Sequence, residues 1–253
     1  MDWLAGMSGF SHSLWRGTFY PKTLKAEDWL AYYSQQLPAV EINDSFHRLP
    51  HSHVVAEWAA AVPDGFRFAL KASRQITHQL RLRDVEEPLD QLIRTVAILE
   101  DKLGAVLFQL PPYLRKSAER LEQFLVQWPH DLPAAVEFRH PSWYSDEIMD
   151  LLSHYEFSLV VSDATDPDQV VATTERIYLR LQHSKYTSAQ LSGWIHAVEQ
   201  FDLKRGLVFF APEGANADPA IAQQFLRLAQ KPVPKRASAA TSYPGKRDQE
   251  GAR

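Results

Sequence analysis

Ala105–Arg139 reads AVLFQLPPYLRKSAERLEQFLVQWPHDLPAAVEFR. Its two ends, Ala105–Leu110 and Ala134–Phe138, are short apolar runs rich in strand-forming residues. Between them Leu121, Phe124, Leu125 and Trp128 fall at the i, i+3, i+4, i+7 spacing of a helix with one buried face. The end runs are mostly continuous rather than alternating in hydrophobicity, which suits strands buried on both faces of a parallel sheet. The segment is one strand–helix–strand unit.

Outward from this unit the same pattern recurs. Further strands are expected at Trp3–Ser8, Ala39–Ile42, Phe66–Leu70, Ser158–Ser162, Ile177–Leu181 and Gly206–Phe210, which makes eight. Helical spacing returns in Leu89/Leu92/Ile93/Val96, Ile148/Leu151/Leu152/Tyr155 and Leu191/Trp194/Ile195/Val198. Asp84 with Glu87 has the form of a capping box, Ser145 and Ser188 are placed as N-caps, and Asp218–Pro219 opens a last helix. Gly104 stands where a helix would stop. Eight strands with helices between them predict a single-domain TIM-type (β/α)8 barrel over residues 1–230. Ala164–Arg176 is too polar and short for a full outer helix, so an irregular or shortened one is expected between strands six and seven.

Six of the 27 Lys/Arg and two of the 31 Asp/Glu lie in residues 231–253, a Pro-, Ala- and Ser-rich stretch expected to be a disordered basic tail. The remaining 230 residues carry 21 basic against 29 acidic side chains. An acidic body is a poor general platform for nucleic acid, whose affinity comes largely from phosphate neutralisation. There is no cysteine, which excludes disulfides, thiolate metal sites and a cysteine nucleophile. No run of eighteen apolar residues exists, and MDWLAGMSGF lacks the features of a secretory signal. A cytoplasmic protein without a membrane partner is therefore expected.

Polar residues follow the apolar runs. Glu41 and Asn43 close strand two; Lys71 ends strand three, with His78 beyond it; Gln109 ends strand four. Strand five gives Glu137 and Arg139, then His140 and Trp143; strand six leads to Asp163, and strand seven carries Arg180 and Gln182. In a parallel barrel all these ends lie on one face, so the residues converge. Glu41, Glu137, Asp163 and His78 are the candidate acids and bases. Asn43, Lys71, Gln109, Arg139, His140, Trp143, Arg180, Gln182 and Trp15 are the candidate substrate ligands, the arginines for paired anion contacts. For Glu41, Glu137, Arg139 and Arg180 the competing reading is a buried ion network that merely completes the barrel mouth. Phe10, Trp15, Phe19, Tyr20 and Trp143 stand either as a stacking wall or as loop-closing hydrophobic clusters.

The same residues resemble the bacterial family called domain of unknown function 72, or YecE-like. The landmarks are Gly6-Met7-Ser8-Gly9-Phe10, Val40-Glu41-Ile42-Asn43, Phe66-Arg67-Phe68 leading to Lys71, and Thr77-His78. Asp101-Lys102-Leu103-Gly104, Phe108-Gln109-Leu110-Pro111-Pro112 and Val136-Glu137-Phe138-Arg139-His140 complete the strongest stretch. The resemblance implies a TIM-type barrel and no established reaction. Where the family has Arg-Leu-His-Gly and Phe-Asn-Asn on its last two strands, this chain has Arg180-Leu181-Gln182-His183 and Phe209-Phe210-Ala211-Pro212. That departure implies an amide gap at strand eight.

Gly-x-Gly-x-x-Gly, Walker-type, His-Glu-x-x-His and Gly-x-Ser-x-Gly motifs are absent, and no organic cofactor is expected. Gly6-Met7-Ser8-Gly9 is a weak phosphate-approach signal. The leading expectation is an enzyme for a small or medium phosphate- or carboxylate-bearing substrate. One alternative is nucleic-acid phosphodiester processing with a divalent metal on Glu41, His78, Glu137, Asp163 and His183. The other is a ligand-binding barrel without catalysis.

Overall fold

A computed structural model describes residues 1–163, 170–211 and 218–230. The strands are β1 Asp2–Ser8, β2 Ala39–Ile42, β3 Arg67–Lys71, β4 Leu103–Gln109, β5 Ala134–Glu137, β6 Phe157–Ser162, β7 Arg176–Leu181 and β8 Arg205–Phe210. All pair in parallel in sequence order, and β8 closes on β1. The helices around them are α1 Trp29–Gln36, α2 Ser52–Ala61, α3 Glu86–Ala97, α4 Ala118–Leu125, α5 Asp146–His154, α6 Ser188–Glu199 and α7 Ala220–Ala229. This is the TIM-type barrel that the periodicity predicts.

Side chains alternate along each strand, so one parity fills the barrel and the other meets the helices. Leu4, Ala39, Ala69, Ala105, Leu107, Ala135, Val160, Tyr178, Leu207 and Phe209 form the inner core. Four alanines on adjacent strands leave room for Tyr178 and Phe209, whose ring centroids are 5.2 Å apart. The opposite parity builds the larger core beneath the helices, where Phe108 of β4 packs edge-on against Phe124 and Trp128. Gly6 has a specific reason. A Cβ there would lie 1.8 Å from the Ala39 carbonyl oxygen, against which the strand is pressed.

Several expectations about the boundaries change. Asp84 and Glu87 form no capping box: α3 starts after Val85, and Asp84 has φ 48°. Ser188 is the first helical residue of α6, not its cap. Thr187 takes that role and exchanges bonds with Gln190 in a true capping box. Ser145 holds the cap position of α5, but its side chain makes no capping bond to the helix. Gly104 lies inside β4, because the strand begins earlier than its apolar run. Between β6 and β7, residues 170–175 carry no helix; Thr173 instead accepts from the Leu159 N–H and donates to the Phe157 carbonyl. Residues 164–169 and the basic tail 231–253 fall outside the described residues.

Candidate functional site

The C-terminal strand ends carry a continuous polar network. Glu41, Lys71, Gln109, Glu137 and Arg180 each stand two residues beyond an inner-core residue, namely Ala39, Ala69, Leu107, Ala135 and Tyr178. Alternation therefore aims all five into the barrel. Glu41, Gln109, Glu137 and Arg180 are buried, at 0%, 8%, 4% and 6% exposure.

Arg180 is the hub. Its Nε donates to both oxygens of Glu41 at 3.2 and 3.1 Å, Nη2 donates to Glu41 Oε1 at 3.1 Å, and Nη1 donates to Glu137 Oε2 at 3.2 Å. Glu41 also accepts from the Tyr178 hydroxyl at 2.7 Å and from the Ser8 hydroxyl, which in turn accepts from Asn43. On the other side, Glu137 accepts from Gln109 Nε2 at 2.7 Å and from Arg139 Nε at 2.7 Å. Gln109 Oε1 then takes a 2.9 Å bond from Lys71 Nζ. Six of the eight strands contribute to this chain of contacts. Asn43 Oδ1 is shut off from solvent without a partner.

Burial alone would push the Glu41 carboxyl up, but the charge and hydrogen bonds of Arg180, with bonds from Ser8 and Tyr178, outweigh it and hold it below the usual range. Conversely, burial pulls Arg180 down while Glu41 and Glu137 lift it above its ordinary value. Glu41 and Arg180 are thus locked in their charged forms with their polar atoms engaged. Lys71 differs. Burial, reinforced by the charge of Arg180, holds its ammonium down to about 8, with Glu41 and Glu137 pulling the other way. Its Nζ lies 4.2 Å from the centre of the Phe46 ring, an attractive cation–π position. His78 packs edge-on to the same ring, and burial with Lys71, Arg74 and Arg139 nearby lowers its pKa, so it is neutral at pH 7.

The predicted residues divide. Glu41, Asn43, Lys71, Gln109, Glu137, Arg139 and Arg180 come together, and His78 borders them. Asp163 stands apart: its carboxylate accepts from the Gln182 and His183 N–H groups and the Tyr186 hydroxyl, tying β6 to the loop after β7. His140 caps its own turn, with Nδ1 accepting from Ser142 N–H at 3.1 Å. Trp143 is fully buried, stacks on Phe138 and donates to the Leu114 carbonyl at 2.7 Å. Trp15 is likewise buried among Phe19, Tyr20 and Tyr33, so these aromatics are loop-closing clusters rather than a ligand wall. Gly9, at φ 100°, gives its N–H to the Glu41 carbonyl, so that group of the Gly6–Gly9 segment already has a partner. Gln182 lines a cavity of about 560 Å³ at the mouth with Glu137, Arg139, Tyr144 and Ser162.

Two network members lie outside the sequence candidates. Tyr178 is two residues before Arg180 on the same face, and Ser8 pairs in register with Glu41. Among the described residues no three of His, Asp and Glu are grouped to hold a metal; of the five proposed ligands, Glu41 and Glu137 are both tied to Arg180, and Asp163 lies 3.9 Å from His183 Nδ1. No helix among the described residues is long and apolar enough to cross a membrane.

Fold and mouth together define a (β/α)8-barrel protein with a buried ion network at its C-terminal strand ends. The chain belongs to the family described as "Protein of unknown function DUF72", whose sequence model matches residues 4–244. It is 31% identical over 137 residues to the UPF0759 protein YunF of Bacillus subtilis, a match covering 51% of this chain and 48% of that protein. With the UPF0759 protein YecE of Escherichia coli K12 it shares 29% over 117 residues, 46% of this chain and 43% of the relative. These matches thus span about half the length of those relatives. The crystal structure of a DUF72 family protein from Thermotoga maritima superposes with a TM-score of 0.79 at 26% identity, covering 91% of this chain and all of that one.

Proposed function

We propose that the barrel is an enzyme acting on a small or medium substrate that bears phosphate or carboxylate, with Lys71 moving the proton and Arg139 holding the anion. The observation that carries this is the contrast within the network. Arg180 spends its donors on two carboxylates, whereas Arg139 commits only Nε and has no partner on its Nη groups among the described residues. It lies a third exposed beside the mouth cavity and offers a planar fork that suits an oxyanion. Lys71 titrates near the working pH and faces the same mouth, the condition for efficient proton transfer. Glu41 and Arg180 then act as positioning residues: they hold Glu137 and Gln109, which orient Arg139 and Lys71.

The test incubates full-length protein with a mixture of phosphorylated and carboxylated metabolites and follows consumption by mass spectrometry. A consumed component should bear one of those groups; Lys71→Met should abolish turnover, and Arg139→Met should raise KM more than it lowers kcat. Turnover unaffected by Lys71→Met, or confined to uncharged compounds, refutes the proposal.

A specific observation favours a phosphodiester as a second substrate class. Arg81 and Arg83 on the β3–α3 connection lie close enough to Arg120 of α4 to lower its pKa, after the larger effect of burial. Such a basic shoulder suits a polyanion, and its binding to single- or double-stranded oligonucleotides would weaken steeply with salt. Absence of binding at low salt removes this reading.

A further inference from the structure

Gln109 decides what Lys71 can do. Glu137 Oε2 accepts from Gln109 Nε2 at 2.7 Å, which turns the amide so that its Oε1 meets Lys71 Nζ at 2.9 Å. Lys71 therefore rests on a neutral acceptor. A carboxylate there would favour the ammonium, whereas an amide oxygen takes an N–H from either ammonium or amine. The carboxylates that could neutralise Lys71 are already claimed. Glu41 and Glu137 both pair with Arg180, at 3.1 and 3.2 Å, and among the described residues no acid forms an ion pair with Lys71.

The amine stands at the C-terminal end of β3 with the inward parity of Ala69, and the centre of the Phe46 ring walls it 4.2 Å from Nζ. Its half-buried position leaves it reachable from the mouth. Arg139 is close enough for its charge to be felt at Lys71. Burial and then the Arg180 charge hold the Lys71 ammonium down to about 8, against the pull of Glu41 and Glu137. At about pH 7.5 roughly a quarter of such an amine is neutral, against about a thousandth for a lysine in water. A lysine desolvated or set beside another cation is activated as a nucleophile toward carbonyl groups.

We propose that Lys71 is a nucleophile that joins an aldehyde or ketone bearing carboxylate or phosphate as a Schiff base, with Arg139 holding the anionic group. This rests on the roles proposed above for both residues and names the group on which they act. The amine lone pair forms a bond to the carbonyl carbon as the C–O π bond breaks; the nitrogen loses a proton and the oxygen gains one. The carbinolamine then expels its hydroxyl with a second proton, as water, and leaves a protonated imine. Neutral His78, edge-on to the same Phe46 ring, is the group placed to pass these protons. The imine keeps one N–H for Gln109 and a positive charge over Phe46, so neither contact is lost.

The test treats the full chain near neutral pH with sodium cyanoborohydride and, in turn, pyruvate, glyceraldehyde 3-phosphate and uncharged propanal. Peptide mass spectrometry follows the reduced adduct on each lysine. With a charged carbonyl, Lys71 should be modified at least about tenfold faster than Lys25, which is 76% exposed and serves as internal standard. That labelling should saturate, and Arg139→Met should weaken the saturation by about tenfold, the scale of one charge-assisted contact. Lys71→Arg should remove the adduct while Lys25 is still modified, and circular dichroism confirms that both variants fold. Labelling of Lys71 no faster than that of Lys25 overturns the inference. So does labelling by propanal, relative to Lys25, as fast as by the charged carbonyls, or equal saturation in the parent and Arg139→Met. If metabolite turnover depends on Lys71 but no adduct forms, the inference fails and Lys71 only moves protons, as in the proposed function. An adduct on Lys71 with no metabolite consumed supports the inference and refutes the proposed turnover instead.

Discussion

Replacing Arg180 with Met is the sharpest test of the buried network. The methionine fills comparable space, but Glu41 and Glu137, at 0% and 4% exposure, lose the cation they share. Breaking a buried ion pair from one side costs about 3–5 kcal/mol, because the orphaned charge stays desolvated. A domain's net stability is only about 5–15 kcal/mol, so the variant should be severely weakened at pH 7. The pH dependence carries more information than the size. In the parent, Glu41 has a folded pKa below its unfolded value, so it contributes stability above the unfolded pKa that is lost as pH falls through the folded one. Without Arg180 the burial effect prevails and the folded pKa rises above the unfolded one. The variant is then penalised above that raised value and relieved as the pH falls through it. The gap between parent and variant should therefore narrow from pH 7 to pH 4. Urea unfolding followed by tryptophan fluorescence measures it, and Arg180→Met with Glu41→Gln should recover part of the loss. A gap under about 1 kcal/mol, within the range of an exposed pair, would refute the reasoning, as would one independent of pH.

Reductive ¹³C-methylation should give one lysine signal titrating at about 8, absent in Lys71→Arg and moved upward by Arg180→Met, because Arg180 holds it down. Gly6→Ala should fail to reach a soluble native state, since its Cβ would lie 1.8 Å from a backbone oxygen and the clash exceeds the roughly 4 kcal/mol that marks exceptional substitutions. Asp163→Ala removes the acceptor of the Gln182 N–H and leaves the His183 N–H only the Tyr186 hydroxyl, so amide exchange at Gln182 should quicken by about tenfold, the scale of one lost charge-assisted bond of roughly 1.5 kcal/mol. Unchanged exchange would show that the carboxylate does not hold that loop.

The barrel was legible because its strands are buried on both faces: continuous apolar runs such as Val106–Phe108 and Ala134–Val136 need no tertiary knowledge to recognise. The inward set at the mouth followed from parity, and parity is exact for Glu41, Glu137 and Arg180. What pattern alone left open was each residue's partner. Trp143 reads equally as part of a stacking wall or of a loop-closing cluster in the sequence, and only its 4.8 Å stack on Phe138 decides between them. Asp163 lies one residue past β6, where alternation ends and local backbone donors decide where a carboxylate turns. α1 and α2 are less legible: α1 is only eight residues long, and α2 buries only Val55 fully, so it prints no clear apolar stripe.

The bond between β2 and β7 also sets an order of events during synthesis. Glu41 precedes Arg180 by 139 residues. At roughly 5–20 residues per second it leaves the ribosome on the order of 10 s before its counterion exists. Until then its charge is best served by water, so the first strands gain little by curling their inner face shut. Closure of the barrel is thus coupled to the arrival of the seventh strand, and a nascent half-barrel stays open and exposed to chaperones for that interval.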